Sequence, residues 1–147
     1  MASRSSHPIF SHTDGIADGI ADALLLIARL LIAALFLMTV WGGGPSADYL
    51  KSINFVAPQF MSPLAHVVEW LVVVSLILGL ATRYGALLGF IFVVIAFVTA
   101  HLYWEYPQAA QNLQFAFLSK DIAIAGGLLV LFVTGGGRFS VDERLKG

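Results

Sequence analysis

The sequence has no cysteine and very little charge, and each absence closes off a class of function. Without a cysteine among its 147 residues, the chain forms no disulfide and holds no iron–sulfur cluster or zinc–thiolate site. It also carries no dithiol redox couple of its own. Electrons handled in its company must travel on a bound cofactor, a quinone or another subunit. Charged residues make up 12% of the chain, about half the share usual in soluble domains. The net charge is −1, and no basic patch with interleaved aromatics occurs, so nucleic acid is not expected as a partner. A signal peptide is not expected either. Residues 1–21 carry Asp14 and Asp18 instead of a positive cluster, and no small-residue cleavage site follows an apolar run. The first apolar segment is therefore expected to remain as a membrane anchor.

What the chain does have is apolar surface. Hydrophobic residues account for 59% of it, and its mean hydropathy is +0.86. Too few polar residues remain to cover a water-soluble body of this size, so the surface must face lipid. A helix needs about 20 mostly apolar residues to cross the hydrocarbon core. Four segments meet that requirement, at 22–41, 64–81, 85–102 and 115–134. The expected fold is all-α, a polytopic membrane bundle of four helices. Residues 1–21 precede it, and a polar tail, 135–147, follows.

The connections fit this division. The short polar stretch from Ala81 through Thr82, Arg83 and Tyr84 to Gly85 predicts a tight antiparallel hairpin between spans two and three. The longer link after span one opens with Gly42, Gly43, Gly44 and Pro45. It mixes Tyr49, Leu50, Ile53 and Phe60 with Asp48, Lys51 and Gln59, which predicts a short amphipathic piece at the interface. Gly135, Gly136 and Gly137 stop the fourth helix. Arg4, Arg83, Arg138, Arg144 and Lys146 fall on the side that holds both termini, while Lys51 lies on the other. The positive-inside rule then places both termini in the cytoplasm. Trp41, Tyr103, Trp104 and Tyr106 gather at the outer boundary, where amphipathic rings are favoured. Asp14, Asp18 and Asp22 recur every fourth residue and share one helical face. They read as a solvated face ahead of span one, with a docking surface for a basic partner as the alternative.

Ionisable groups inside spans cost free energy unless they pair or meet water, so each is a candidate for function. Arg29 lies in span one, Glu69 in span two, and Lys120 and Asp121 in span four. Counted from the cytoplasmic ends, Glu69 and Asp121 come out roughly 18–20 Å up and Arg29 roughly 10 Å up. The long side chain of Arg29 makes a pair with either acid feasible, while Lys120 snorkels outward. Such a network either fastens the helices together or forms a polar pocket for a quinone head group or a small anion. A second constellation has metal-like spacing: His66 with Glu69, and His101 with Glu105, each pair on one helical face. Those spacings are generic to helices and no stricter motif accompanies them, so an intrinsic metal or haem is not expected. Gly79, Gly85, Gly89, Gly126 and Gly127 read as packing positions.

Three stretches together resemble the DoxX family of bacterial four-helix membrane proteins. Arg29 stands early in the first apolar helix. Glu69 is followed by the run Leu78, Gly79, Leu80, Ala81, Thr82 and Arg83. Lys120 and Asp121 lead to Gly126 and Gly127, and then to a closing run of Gly135, Gly137, Arg138, Ser140 and Asp142. The resemblance covers about residues 22–142. Members often carry a lysine near the end of span one, and residues 39–43 here have none. The resemblance implies a bacterial inner-membrane protein that serves as a small subunit or partner of a quinone-linked respiratory or redox complex. Arg29, Glu69, Lys120 and Asp121 would be its polar centre, and Glu69 or Asp121 would accept a proton from a quinol. A stand-alone oligomeric transporter or binding protein for small solutes is the alternative, and a structural scaffold a further one.

Overall fold

The computed structural model describes residues 8–145, with side chains from Ile20 onward. Asp14 and Asp18 of the acidic repeat therefore lie outside the described side chains, as do Arg4 and Lys146. Six α-helices and one 3-10 turn make up the described chain, with no strand among the described residues. They are α1 (Pro8–Trp41), α2 (Ala47–Ser52), α3 (Pro58–Leu78), α4 (Thr82–Ala100), the turn Tyr103–Glu105, α5 (Gln108–Thr134) and α6 (Val141–Arg144).

Four of these helices are long and apolar enough to span a bilayer: α3, α5, the stretch Ile20–Trp41 of α1, and α4 with its following turn. Hydropathy located them, but helix ends overrun the apolar segments. α3 starts at Pro58 rather than at 64, because proline is tolerated in the first turn of a helix. Pro63 then sits inside α3, at the cost of one backbone hydrogen bond. α5 starts at Gln108, with Pro107 as its cap residue, rather than at 115. Its opening residues Gln108, Gln111, Asn112 and Gln114 are helical yet polar, and a hydropathy profile reads lipid contact, not helicity. α2 is the short interfacial helix expected from the link, capped by the Ser46 side chain, which accepts from the Tyr49 N–H.

The helices form an antiparallel ring. α3 lies between α1 and α4, α4 packs along α5, and α1 touches α5 more lightly. Asp22 of α1 reaches the backbone of Arg138, and Asp142 reaches that of Ala81 and Thr82. The start of span one, the α3–α4 hairpin and the segment after α5 thus meet at one end, called here the terminal end. α2 and the 3-10 turn occupy the distal end.

The core runs along the bundle axis through Phe36 of α1, Val72 and Leu76 of α3, Ala86 and Val93 of α4, and Leu128 and Leu131 of α5. Phe36 and Phe92 meet with ring centroids 6.1 Å apart. A methyl at Gly89 would lie 3.2 Å from Val72 and 3.3 Å from Leu128, so that glycine lets three helices close on one another. In lipid such dispersion contacts, with polar fasteners, hold helices together, because burial against water is no longer available as a driving force.

Candidate functional site

The ionisable groups divide between two places instead of forming one centre. At the terminal end Arg29 is wholly buried. Its Nη1 donates to the Gly136 carbonyl at 2.7 Å and its Nη2 to the Phe139 carbonyl at 3.0 Å. The expected pair with Glu69 or Asp121 does not form. Glu69 is level with Thr39, which stands ten residues after Arg29 on α1, or about 15 Å along the helix axis. The carbonyls that follow α5 are nearer and lack helical partners.

The segment after α5 is fastened on both sides of Arg29. Asp22 Oδ1 accepts from the Arg138 N–H at 2.9 Å. The Asp142 carboxylate accepts from the N–H groups of Ala81 and Thr82, at 2.6 and 2.8 Å, and so caps α4. The Asp142 N–H donates in turn to the Gly79 carbonyl at 2.9 Å. Gly79 ends α3 with a φ of 65°, and a side chain there would run into Arg29 and Ser140. The closing run of glycines, arginine, serine and aspartate noted in the sequence is thus a clasp around Arg29.

The other charges surround a cavity of about 660 Å³ in the distal half. All four spanning helices and the link around α2 contribute walls. Most of these are apolar, among them Leu35, Met38, Val68, Ile91, Phe92 and Ile124. Glu69, Lys120 and Asp121 line it, as do Thr39, Tyr49, Thr99 and His101; Arg29 does not. Three of the four residues expected to form a polar centre therefore share one cavity.

Glu69 is 2% exposed and Asp121 6%. Thr39 Oγ1 lies 2.8 Å from Glu69 Oε1, and Glu69 Oε2 has no hydrogen-bond partner. A methyl added to Gly44 would lie 2.9 Å from Glu69 Oε2 and 2.9 Å from His66 Nε2, so the bare backbone of Gly44, at a φ of 54°, closes over both. His66 Nδ1 lies 3.0 Å from the Ser62 carbonyl, which only accepts, so Nδ1 carries the hydrogen. On the opposite wall Asp121 Oδ1 stands 3.6 Å from Lys120 Nζ, and Oδ2 stands 3.8 Å from His101 Nε2. Lys120 also lies over the Phe117 ring, 5.2 Å from its centroid. Burial, then the neighbouring charges of Tyr106 and Asp121, raises the Tyr49 phenol above its usual value. Tyr49 therefore stays a neutral hydroxyl through the physiological range.

The two histidines are apart: His101 lines the cavity beside Asp121, while His66 lies beside Gly44 and is not part of the lining. Glu105 is exposed in the 3-10 turn and lies outside the cavity wall. Among the described residues no three of His, Asp and Glu converge as metal ligands. Sequence reasoning passed over Thr39, Tyr49 and Gly44. The signal for Thr39 was a hydroxyl in an apolar helix one turn before three glycines. The sequence places Tyr49 in the amphipathic link at the interface.

The sequence pattern of the DoxX family matches residues 24–102, the stretch that carries Arg29, Glu69, His66 and His101. Inner membrane protein YphA of Escherichia coli (strain K12) is 30% identical over 125 residues, covering 82% of this chain and 89% of that protein. Inner membrane protein YqjF of the same organism is 30% identical over 129 residues, covering 85% of this chain and 94% of that protein. No solved structure matches the chain at a significant level.

Proposed function

This chain belongs to the DoxX family and is a multi-pass protein of the bacterial inner membrane; on that footing we propose that it serves as a small membrane subunit or partner of a quinone-linked oxidoreductase, with the distal cavity as its ligand site. The observation that carries the proposal is the joint placement of Glu69 and Asp121, on different helices, in the wall of one mostly apolar cavity. Buried carboxyls are costly within a bilayer. Two of them facing one cavity suit an amphiphile whose ring and tail contact hydrocarbon while its oxygens meet polar groups. Glu69, with Thr39 as its orienting partner, and Asp121, flanked by Lys120 and His101, are the groups that would exchange protons with such a head group. With no cysteine in the chain, electrons would pass to or from a partner protein.

Transport of a small solute has less support. Phe36, Val72, Leu76 and Leu128 are buried together on the terminal side of the cavity, and they fill the axis a permeant would have to follow.

The test is purification of the tagged protein from native membranes in mild detergent, with mass spectrometry of co-purifying proteins and quinone analysis of the lipid extract. Near-stoichiometric recovery of a dehydrogenase, oxidase or sulfur-handling enzyme is expected, with enrichment of quinone over the bulk membrane. Recovery of the protein alone, without quinone enrichment, would remove the proposal. The proton role has its own check: unchanged quinol-linked electron flow in Glu69→Gln at normal protein level would rule it out for that residue.

A further inference from the structure

The distal cavity is a slot that divides the four spans into two pairs. α1 and α3 stay joined beside it, with Thr39 Oγ1 2.8 Å from Glu69 Oε1. α4 and α5 stay joined as well, with the rings of His101, at the end of α4, and Phe117 5.3 Å apart. Between the pairs, helices touch toward the terminal end and part beyond it. On one side Ser75 of α3 meets Gly85 of α4, a methyl on which would run into it, and Gly89 closes on Val72 one turn further. Val68 and Leu64, seven and eleven residues before Ser75, continue that face of α3. Phe92 and Ala96, seven and eleven residues after Gly85, continue that of α4. The helices run antiparallel, so these residues stand level with each other, about 10–16 Å beyond Ser75. There both flanks line the cavity, and Leu64, Ile91 and Ile95 at its edge are 42%, 47% and 46% exposed.

On the other side Ile32 of α1 meets Gly127 of α5, a methyl on which would lie 3.1 Å from its Cδ1. Leu35 and Thr39, three and seven residues on, and Ile124 and Lys120, three and seven residues back, again line the cavity. The slot thus has two mouths toward lipid, and their chemistry differs. Leu64, Val68, Ile91 and Ile95 rim the α3–α4 mouth, and the Thr99 hydroxyl beside them already donates to the Ile95 carbonyl, at 2.6 Å. Thr39 and Lys120 rim the α1–α5 mouth, with Asp121 next to Lys120.

We propose that a membrane amphiphile enters this cavity sideways from the bilayer and is held with its hydrocarbon chain in the α3–α4 mouth. Its head group then turns toward Thr39, Lys120 and Asp121. The proposal rests on the cavity being the ligand site named above, and it adds the door and the direction in which the ligand lies. A chain between Leu64, Val68, Ile91 and Ile95 exchanges lipid contacts for side-chain contacts and strips no polar group of its partners. The same chain in the α1–α5 mouth would desolvate the Lys120 ammonium and the polar groups beside it. A head group set in the α3–α4 mouth would lose as much, since its oxygens would meet only hydrocarbon and a hydroxyl already engaged.

The route is measurable in the unmodified protein with a photoreactive probe: an alkylated hydroquinone, kept under argon, that carries a diazirine early in its alkyl chain. The purified full-length protein in quinone-free nanodiscs is irradiated with this probe, with and without an excess of the same compound lacking the diazirine. Mass spectrometry of the digest then maps the labelled residues. The part of the label that the excess compound removes reports the site, because label from probe dissolved in bulk lipid is not displaced. That displaced label is expected at Leu64, Val68, Ile91 and Ile95. It should exceed the label at Leu35, Met38 and Ile124 at least about tenfold, a preference of about 1.4 kcal/mol. A smaller ratio, or displaced label mainly at the α1–α5 mouth, overturns the route while leaving the cavity as a ligand site. Label that the excess compound does not reduce anywhere removes the ligand site itself, and the route with it.

Discussion

Arg29 and Gly136, 107 positions apart, are joined by a hydrogen bond of 2.7 Å from a wholly buried guanidinium to a backbone carbonyl. A cation inside a membrane protein is satisfied by backbone carbonyls as well as by carboxylates, and this one holds the turn between α5 and α6. The fork geometry of arginine reaches two carbonyls at once, Gly136 and Phe139, while Asp142 contributes negative charge nearby.

Substitution of Arg29 by methionine should therefore destabilise the terminal end, not the cavity. It leaves the Gly136 carbonyl buried without its donor, at a cost of about 3 kcal/mol. Arg29→Lys keeps the charge but loses the fork, and should fall between the two. Thermal unfolding in detergent measures the loss, and probe binding by whatever folded fraction remains should be unchanged. A methionine variant as stable as the parent would show that the clasp contributes nothing.

Asp142 caps α4 across 60 residues of sequence, accepting from Thr82 N–H at 2.8 Å. Replacement by alanine should cost about 1–2 kcal/mol, as for other helix caps. Asparagine retains one acceptor oxygen and should cost less. Limited proteolysis offers a second readout: the segment after α5 should become a faster cleavage site in Asp142→Ala.

Gly85 sits where α4 crosses α3, and a methyl there would run into the Ser75 side chain. Gly85→Ala should lower stability by about 2 kcal/mol through overpacking. The collision is local, so Ser75→Gly in the same chain should recover part of the loss. A double-mutant cycle with no coupling would place the cost elsewhere.

Ala96 lines the cavity from α4. A phenylalanine there has empty volume to enter and should leave the melting temperature unchanged or slightly raised, since filling a void adds contacts. Binding of the alkylated hydroquinone should fall at least about tenfold, or 1.4 kcal/mol. Retained affinity would mean that ligand binds outside this cavity.

Much of this molecule is written locally in its sequence. Runs of about 20 apolar residues have one stable form in a bilayer, a helix with its own backbone hydrogen bonds satisfied, so the four spans follow from hydropathy alone. The hairpin through Arg83 and the interfacial helix around Tyr49 are equally local. The family resemblance was legible for a related reason: Arg29, and Glu69 with the run from Leu78 to Arg83, form a local pattern, and the family match falls on that stretch, 24–102. Glu69, Lys120 and Asp121 could be placed together because depth along a helix is a simple count at a fixed rise.

Tertiary structure alone decided the partners. Arg29 was matched in the sequence with carboxylates because those carry letters, whereas the Gly136 and Phe139 carbonyls it binds belong to every residue and announce nothing. The cavity was likewise out of reach of the sequence. Its volume depends on how helices rotate and splay, and its bare corner on Gly44 lying against Glu69 and His66. Hydrophobic length fixes that a helix crosses the membrane; only side-chain packing between helices fixes which face it turns to its neighbours.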